Sequence, residues 1–293
     1  MSSLTRMIES VALCGGVVAG ISYYENRQIR LEEYRIASGC LPEVFDQTKL
    51  VFLSDLHNRC FGTDQEELMK IIDVIGPDMI LVGGDMVVGK PGMTTQTAYH
   101  LLSQLAKKYS VVAADGNHEY RMKIYTDTYG KQYEEYVAAL RVCKVSYLSN
   151  QTIKICKKGS SIWITGLSIE REYYRRGFKT EMDPDYLNRT IGKKERGRFH
   201  ILLAHNPLYF PEYAEWGADL ILSGHNHGGW IRLPVFGGLV SPQMRFFPDY
   251  DAGLYRQGES QMIISRGLGT HTFPIRVNNY PEISVITLRK LRT

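Results

Sequence analysis

From residue 49 onward, short apolar runs alternate with stretches of helical spacing, and this alternation constrains the fold more than any other feature. "KLVFLSD" (49–55) reads as a buried strand ending in polar residues. In "DQEELMKIIDVIG", Leu68, Ile71, Ile72 and Ile75 recur at helical spacing, with Asp64 as the N-cap and Gly76 as the stop. "DMILVGGD" is the next strand, "TTQTAYHLLSQLAKKY" (94–109) the next helix, and "SVVAADGNHE" repeats the unit. The repeated strand–helix unit predicts an α/β fold with a mostly parallel sheet and helices packed on its faces.

Other segments extend this frame. "IRLEEYRI", upstream, mixes apolar and charged residues as an outer strand does. From about residue 145 the strands shorten: "VSYLSN", "QTIKIC", "SIWITG", "FHILLAH", "ADLILSG", "GLYRQ", "QMIISRG" and "EISVITL", which together predict a second sheet stacked on the first. With 293 residues, 44% of them hydrophobic, the chain can bury one large core. The expected division is a domain over 29–293 after an N-terminal segment, 1–28. That segment contains "VALCGGVVAGISYY" (11–24), shorter than the roughly 20 residues of a comfortable membrane span. It predicts a membrane-associating or signal-like helix, and hence a membrane-surface partner and location.

Polar residues gather in the loop after each apolar strand, where open α/β sheets build their sites. The first strand ends in Asp55-Leu56-His57, the second in Gly83-Gly84-Asp85 and the third in Gly116-Asn117-His118-Glu119. His205 follows "ILLA", and "GHNHGG" places His225 and His227 after "LILS". Each motif alone is weak; five in this order, each at a strand end, are not independent. Carboxylate, imidazole and amide form an oxygen and nitrogen donor set suited to Mn, Fe, Co or Zn. Asp55, His57, Asp85, Asn117, His205, His225 and His227 are too many for one tetrahedral ion and about right for two divalent ions. Asp85 is the natural bridge, because it stands alone between two ligand groups and Gly83 and Gly84 let the backbone come close. In an extended segment residues i and i+2 point the same way, so Asp55 with His57, and His225 with His227, each present two side chains to one site.

The remaining signals exclude other chemistries. Five scattered cysteines without a C-x-x-C argue against a disulfide framework or a thiolate zinc site, and Cys60 reads as a small buried residue. His100 fits a helix, His200 opens a strand, and His271 stays undecided. The net charge of +4 arises within residues 171–198, which hold nine Lys or Arg against five Asp or Glu, leaving 26 of each sign elsewhere. No broad basic surface remains for a nucleic acid, so none is expected as a partner. Residues 170–198 read as a basic lid or surface insertion. Either Arg175 and Arg176, or Lys193, Lys194 and Arg196, would meet a phosphate or an anionic membrane surface.

The ordered set D-x-H, G-G-D, G-N-H-E, A-H-N-P, G-H-N-H-G-G resembles the calcineurin-like metallophosphoesterase superfamily from about residue 49 to the end. "GGWIRLPVFGGLVSPQ" and "SRGLGTHTFPIRVNNYPEISVIT" look like the bacterial phosphodiesterases related to UDP-diacylglucosamine pyrophosphatases. The resemblance implies a four-layer α/β/β/α sandwich. It implies one metal on Asp55, His57, Asp85 and His227, another on Asp85, Asn117, His205 and His225, and His118 as a catalytic histidine that binds no metal. "MVVGKPG" after Asp85 lacks the arginine of phosphoprotein phosphatases, which lowers the case for a protein substrate. The expected reaction is hydrolysis of a phosphodiester or pyrophosphate, in a lipid-linked or nucleotide-linked envelope substrate, by in-line attack of a metal-bridging hydroxide. Alternatives are a phosphomonoesterase or nuclease of the same superfamily, or a non-catalytic metal-binding scaffold. Oligomeric state and membrane side are not legible in the residues.

Overall fold

The computed structural model describes residues 3–270 and 274–292. Two sheets form its centre. The first has the strand order β1-β14-β2-β3-β4-β5, made from β1 (Arg30–Ser38), β2 (Lys49–Leu53), β3 (Met79–Val82), β4 (Ser110–Ala114), β5 (Ser146–Leu148) and β14 (Glu282–Lys290). The second has the order β12-β13-β9-β8-β7-β6, made from β6 (Gln151–Lys157), β7 (Ser160–Leu167), β8 (His200–Ala204), β9 (Leu220–Ser223), β12 (Gly253–Gln257) and β13 (Ser260–Ile264). A short hairpin, β10 (Arg232–Leu233) with β11 (Gly237–Gly238), stands apart.

Side-chain alternation turns these sheets into four layers. On β2, Leu50 and Phe52 face the second sheet, while Val51 and Leu53 face helices. On β8, Ile201 and Leu203 face the first sheet, and Leu202 and Ala204 pack under helices on the far side. The first sheet is covered by α2 (Glu66–Ile75), α3 (Gln96–Ala106) and α6 (Gln132–Val142), through Leu68, Ile72, Leu101, Leu105 and Leu140. The second is covered by α7 (Tyr186–Ile191) and α8 (Phe210–Trp216), through Leu187, Phe210 and Tyr213. The short α4 (Asn117–Ile124) and α5 (Thr126–Tyr129) follow β4. The α/β/β/α sandwich is the expected one. Helices cover only one face of the parallel sheet, however, because the other face is the apolar floor of the second sheet.

Three local expectations change. β5 and β14 belong to the first sheet, and β14 inserts between β1 and β2, parallel to one and antiparallel to the other. Asp64 does not cap α2: Asp64 and Gln65 are left-handed, at φ 51° and 68°, and Gln65 instead ties the loop by accepting from Phe61 N–H and donating to Arg59 O. Gly76 does stop the helix, at φ 58°. Cys60 is exposed rather than buried; with Cys40, Cys143 and Cys156 it is a free thiol.

Helix α1 (Ser3–Glu25) precedes the first strand. Among the described residues no helix is long and apolar enough to cross a membrane. The last turn of α1 is latched to the body. Ser22 Oγ donates to Pro274 O at 2.9 Å and accepts from Arg276 N at 2.9 Å, while Glu25 Oε2 accepts from Asn279 N at 3.0 Å.

Candidate metal centre

The centre forms along one edge of the sandwich, where the C-terminal ends of β2, β3 and β4 meet those of β8 and β9. All seven expected ligands lie there. The acceptor atoms of Asp55, His57 and His227 form one compact group, and those of Asp85, His205 and His225 form another; Asp85 also groups with His57 and His118. His57 Nε2 stands 3.2 Å from His227 Nε2, and His227 Nε2 is 3.4 Å from Asp55 Oδ1. His205 Nε2 lies 3.2 Å from Asp85 Oδ2 and 3.7 Å from Asp55 Oδ1.

The paired residues do not converge through strand alternation, as the spacing suggested. Asp55, His57, Asp85, His225 and His227 all have left-handed backbone, with φ of 53°, 47°, 53°, 67° and 49°. Such conformations cost on the order of 1–3 kcal/mol each and persist where surroundings hold them. Here the loops hold one another: Asp55 N donates to Gly84 O, His57 N to Asp85 O, and Gly269 N to Asp55 O. Gly83 and Gly84 are required by packing. A Cβ on Gly83 would stand 2.5 Å from the Phe52 ring, and one on Gly84, at φ 90°, would stand 2.2 Å from Gly116 N.

Asp85, His205, His227 and Asp55 are each aimed by a second contact. Asp85 Oδ1 accepts the His118 N–H at 2.8 Å, at the start of α4, which turns Oδ2 toward His205, His57 at 3.8 Å and the His118 ring at 3.9 Å. His205 Nδ1 lies 2.7 Å from Gly83 O and His227 Nδ1 3.3 Å from Gly269 O, so in the neutral rings Nδ1 carries the proton and Nε2 faces inward. Asp55 accepts from Ser54 Oγ at 2.7 Å and from His225 N at 3.2 Å. His118 differs from the other imidazoles. Its Nδ1 accepts from Gly89 N at 2.7 Å, so Nε2 holds the proton in the neutral ring.

The electrostatics suit cations. Burial and the neighbouring Asp85 push Asp55 up to about 6. Burial would also raise Asp85, but His205, His118 and His57 hold it well below the usual carboxylate range. Burial alone would lower His205, yet Asp85 and Asp55 push it up to about 10. Without a cation, protonated imidazole offsets the carboxylates. Asn117 Oδ1 is buried with no hydrogen-bond partner among the described residues. An amide oxygen so placed, beside carboxylates and inward-facing imidazoles, fits a divalent ion.

Three residues that give the centre its shape were not singled out by the sequence reading. The Glu119 carboxylate accepts from the backbone N–H groups of Asp85, Met86, Val87 and Gly116, tying the loop after β3 to the start of α4. Its signal was available, since Gly116 and Glu119 have capping-box spacing. Arg276 is fully buried and donates to the carbonyls of Arg266, Gly267 and Gly269. Asn279 Nδ2 donates to His227 O at 2.7 Å. Neither of these last two has a local pattern that marks it.

A cleft of about 560 Å³ opens over the centre, lined by Asp85, Asn117, His225 and His227 on one side and by Arg121, Arg171, Arg175 and Arg176 on the other. Tyr174 stands edge-on to His225 with ring centroids 5.0 Å apart. Arg175 and Arg176 are exposed at this rim. Lys193, Lys194 and Arg196 are not at the rim. Lys194 pairs at 2.7 Å with Asp219, which immediately precedes β9 and so lies at the opposite end of the second sheet. His100 sits on α3 and His200 begins β8, hydrogen-bonded to Thr165, whereas His271 lies outside the described residues.

Residues 48–229 match the family model for calcineurin-like phosphoesterases, which is more than half of the chain. The chain belongs to the calcineurin-like phosphoesterase family. It is therefore a metal-dependent phosphoric ester hydrolase, of a family that uses divalent metals. It is 29% identical over 279 residues to the uncharacterized metallophosphoesterase YkuE of Bacillus subtilis, covering 94% of this chain and 91% of that one. It is 25% identical over 276 residues to an uncharacterized metallophosphoesterase of Aquifex aeolicus, covering 93% and 97%. It is 27% identical over 247 residues to the phosphodiesterase YaeI of Escherichia coli, covering 82% of each chain.

Proposed function

We propose that this phosphoesterase hydrolyses a phosphodiester or pyrophosphate, in a lipid-linked or nucleotide-linked substrate, at a centre of two divalent cations with Asp85 shared between them. The observation that carries the reading is the setting of Asp85. One oxygen is fixed by the His118 amide, and the other faces imidazoles from both ligand groups. Asp55, His57 and His227 would hold one ion with Asp85, and Asn117, His205 and His225 the other. The ions, when bound, supply Lewis acidity that ionises a water near neutral pH and offsets charge on phosphoryl oxygens.

The chain's own groups do the rest. His118, a non-ligand, presents its Nε2 proton toward the centre and donates it, as a hydrogen bond or a transferred proton, to the oxygen of the departing group. Arg175 and Arg176, at the cleft rim, orient the outer part of the substrate. The name of the Escherichia coli relative, a phosphodiesterase, supports a diester over a monoester. On the exposed side of α1, Leu13, Val17, Ile21 and Tyr24 form an apolar stripe, which supports contact with a membrane surface.

The test is hydrolysis of bis(p-nitrophenyl) phosphate by the manganese-loaded protein. Turnover is expected, and His118→Asn should lower kcat by about 10² to 10⁴ while metal content stays the same. Full activity in His118→Asn would remove that residue's part in the reaction, and no turnover with any divalent ion would remove the diesterase reading.

A further inference from the structure

The centre is bordered from a second side. Between α1 and the body runs a groove of about 730 Å³, with Gly15, Val18, Ala19 and Ser22 on the helix wall and Pro274 and Ile275 on the body wall. These helix positions follow the i, i+3, i+4, i+7 spacing of a single face. The apolar stripe of Leu13, Val17, Ile21 and Tyr24 points elsewhere and is 70, 54, 39 and 60% exposed. The helix thus has two apolar faces, and only one of them looks into the groove.

The groove reaches the ligand His57 and carries Arg27 and Arg59 at the same end. Among the described residues neither arginine pairs with a carboxylate. Arg27 lies over the Tyr23 ring at 3.5 Å, and Arg59 donates to Asn26 Oδ1 at 2.9 Å. A small hollow lined by His227, Thr270 and Ile275 shares Thr270 and Ile275 with the groove and His227 with the cleft. Cleft and groove thus each border a candidate ligand of the centre, His227 and His57, the one rich in arginine and the other apolar. Helix geometry gives the groove about 10 Å of length between Gly15 and Ser22.

We infer that the groove is the binding site for the hydrocarbon chain of an amphiphilic phosphoester whose phosphate sits at the centre. A molecule with hydrocarbon at one end and phosphate at the other matches the apolar walls together with Arg27, Arg59 and the candidate ligand His57, which line the same groove. The inference rests on the reading of the centre as a phosphoesterase and specifies its substrate class. The last turn of α1, latched through Ser22 and Glu25, is then a wall of the substrate site.

Titration calorimetry of ethyl, hexyl and decyl phosphate on the metal-loaded full chain, each below its micelle concentration, tests this. Affinity should rise about fourfold for each methylene buried, so by at least about tenfold from ethyl to hexyl with only half of the added methylenes covered. Gly15→Trp and Ala19→Trp fill the groove and should flatten the series; a Cβ at Gly15 meets no atom within 4 Å, so the larger side chain enters open space. Val17→Trp, on the exposed face, should preserve the rise. Equal affinities across the series in the native chain, or a rise that survives both groove-filling substitutions, would overturn the inference. Hydrolysis of the matching alkyl p-nitrophenyl diesters separates the two claims. Turnover without chain-length dependence leaves the diesterase and removes the groove. Chain-dependent binding without turnover does the reverse.

Discussion

Replacing Glu119 by Gln isolates the brace that holds Asp85. The carboxylate accepts four amide N–H groups: Oε2 from Asp85 at 2.8 Å and Gly116 at 2.9 Å, and Oε1 from Met86 at 2.8 Å and Val87 at 3.3 Å. Glutamine keeps the shape but turns one oxygen into an NH₂ that faces two donors. Each buried amide left without an acceptor costs about 1–3 kcal/mol, which puts the gross loss at about 2–6 kcal/mol. An opposing effect is present. Burial, with the Asp85 and Asp115 carboxylates, pushes Glu119 up to about 8, and a neutral amide relieves that repulsion. The net loss should fall near the low end, about 2–3 kcal/mol. Because the same bonds fix the left-handed turn at Asp85, manganese affinity should fall about 10- to 100-fold. Urea unfolding of the metal-free protein and calorimetric titration with manganese read the two effects. A variant within about 0.5 kcal/mol of the parent, with unchanged manganese affinity, would show that Asp85 is positioned by something else.

Further predictions follow from the cleft and its charges. Charge reversal at Arg175 and Arg176 should raise KM for a lipid-linked diester and leave bis(p-nitrophenyl) phosphate kinetics almost unmoved; equal losses on both substrates would remove these arginines from substrate binding. Manganese affinity should climb with pH. His205 has a folded pKa of about 10, raised from 6.5, so its protonated form stabilises the metal-free fold fully below 6.5, and that contribution is lost as pH rises through about 10. A cation must displace this proton, so binding should release about one proton per His205 and tighten about tenfold per pH unit within the window. An affinity flat between pH 6.5 and 8.5 would show that His205 is already neutral in the free centre.

The grouping of the candidate ligands was legible because such residues sit where apolar strands end, and the strands that carry them announce themselves by their apolar runs. The position of β14 was not, since Ile286 and Leu288 alternate identically whichever sheet they join, and pairing with Leu50 spans most of the chain. The left-handed turns at Asp55, His57 and His225 were hidden for a similar reason. Aspartate and histidine carry no mark of positive φ, and only the interlocking loops impose it. Arg276 and Asn279 act on backbone carbonyls of distant loops, a contact that no periodicity encodes. The separation of Lys194 from Arg175 and Arg176 was not legible, because a charge run does not show that the chain passes from the cleft to the opposite end of the second sheet between Arg176 and Lys194.

The central claim is that two cations share Asp85. Electron paramagnetic resonance of the protein titrated with manganese tests it most directly. The account predicts binding that saturates at two ions per chain with an exchange-coupled spectrum, replaced by that of isolated ions in Asp85→Asn. Saturation at one ion, or two ions without coupling in the native chain, would contradict it.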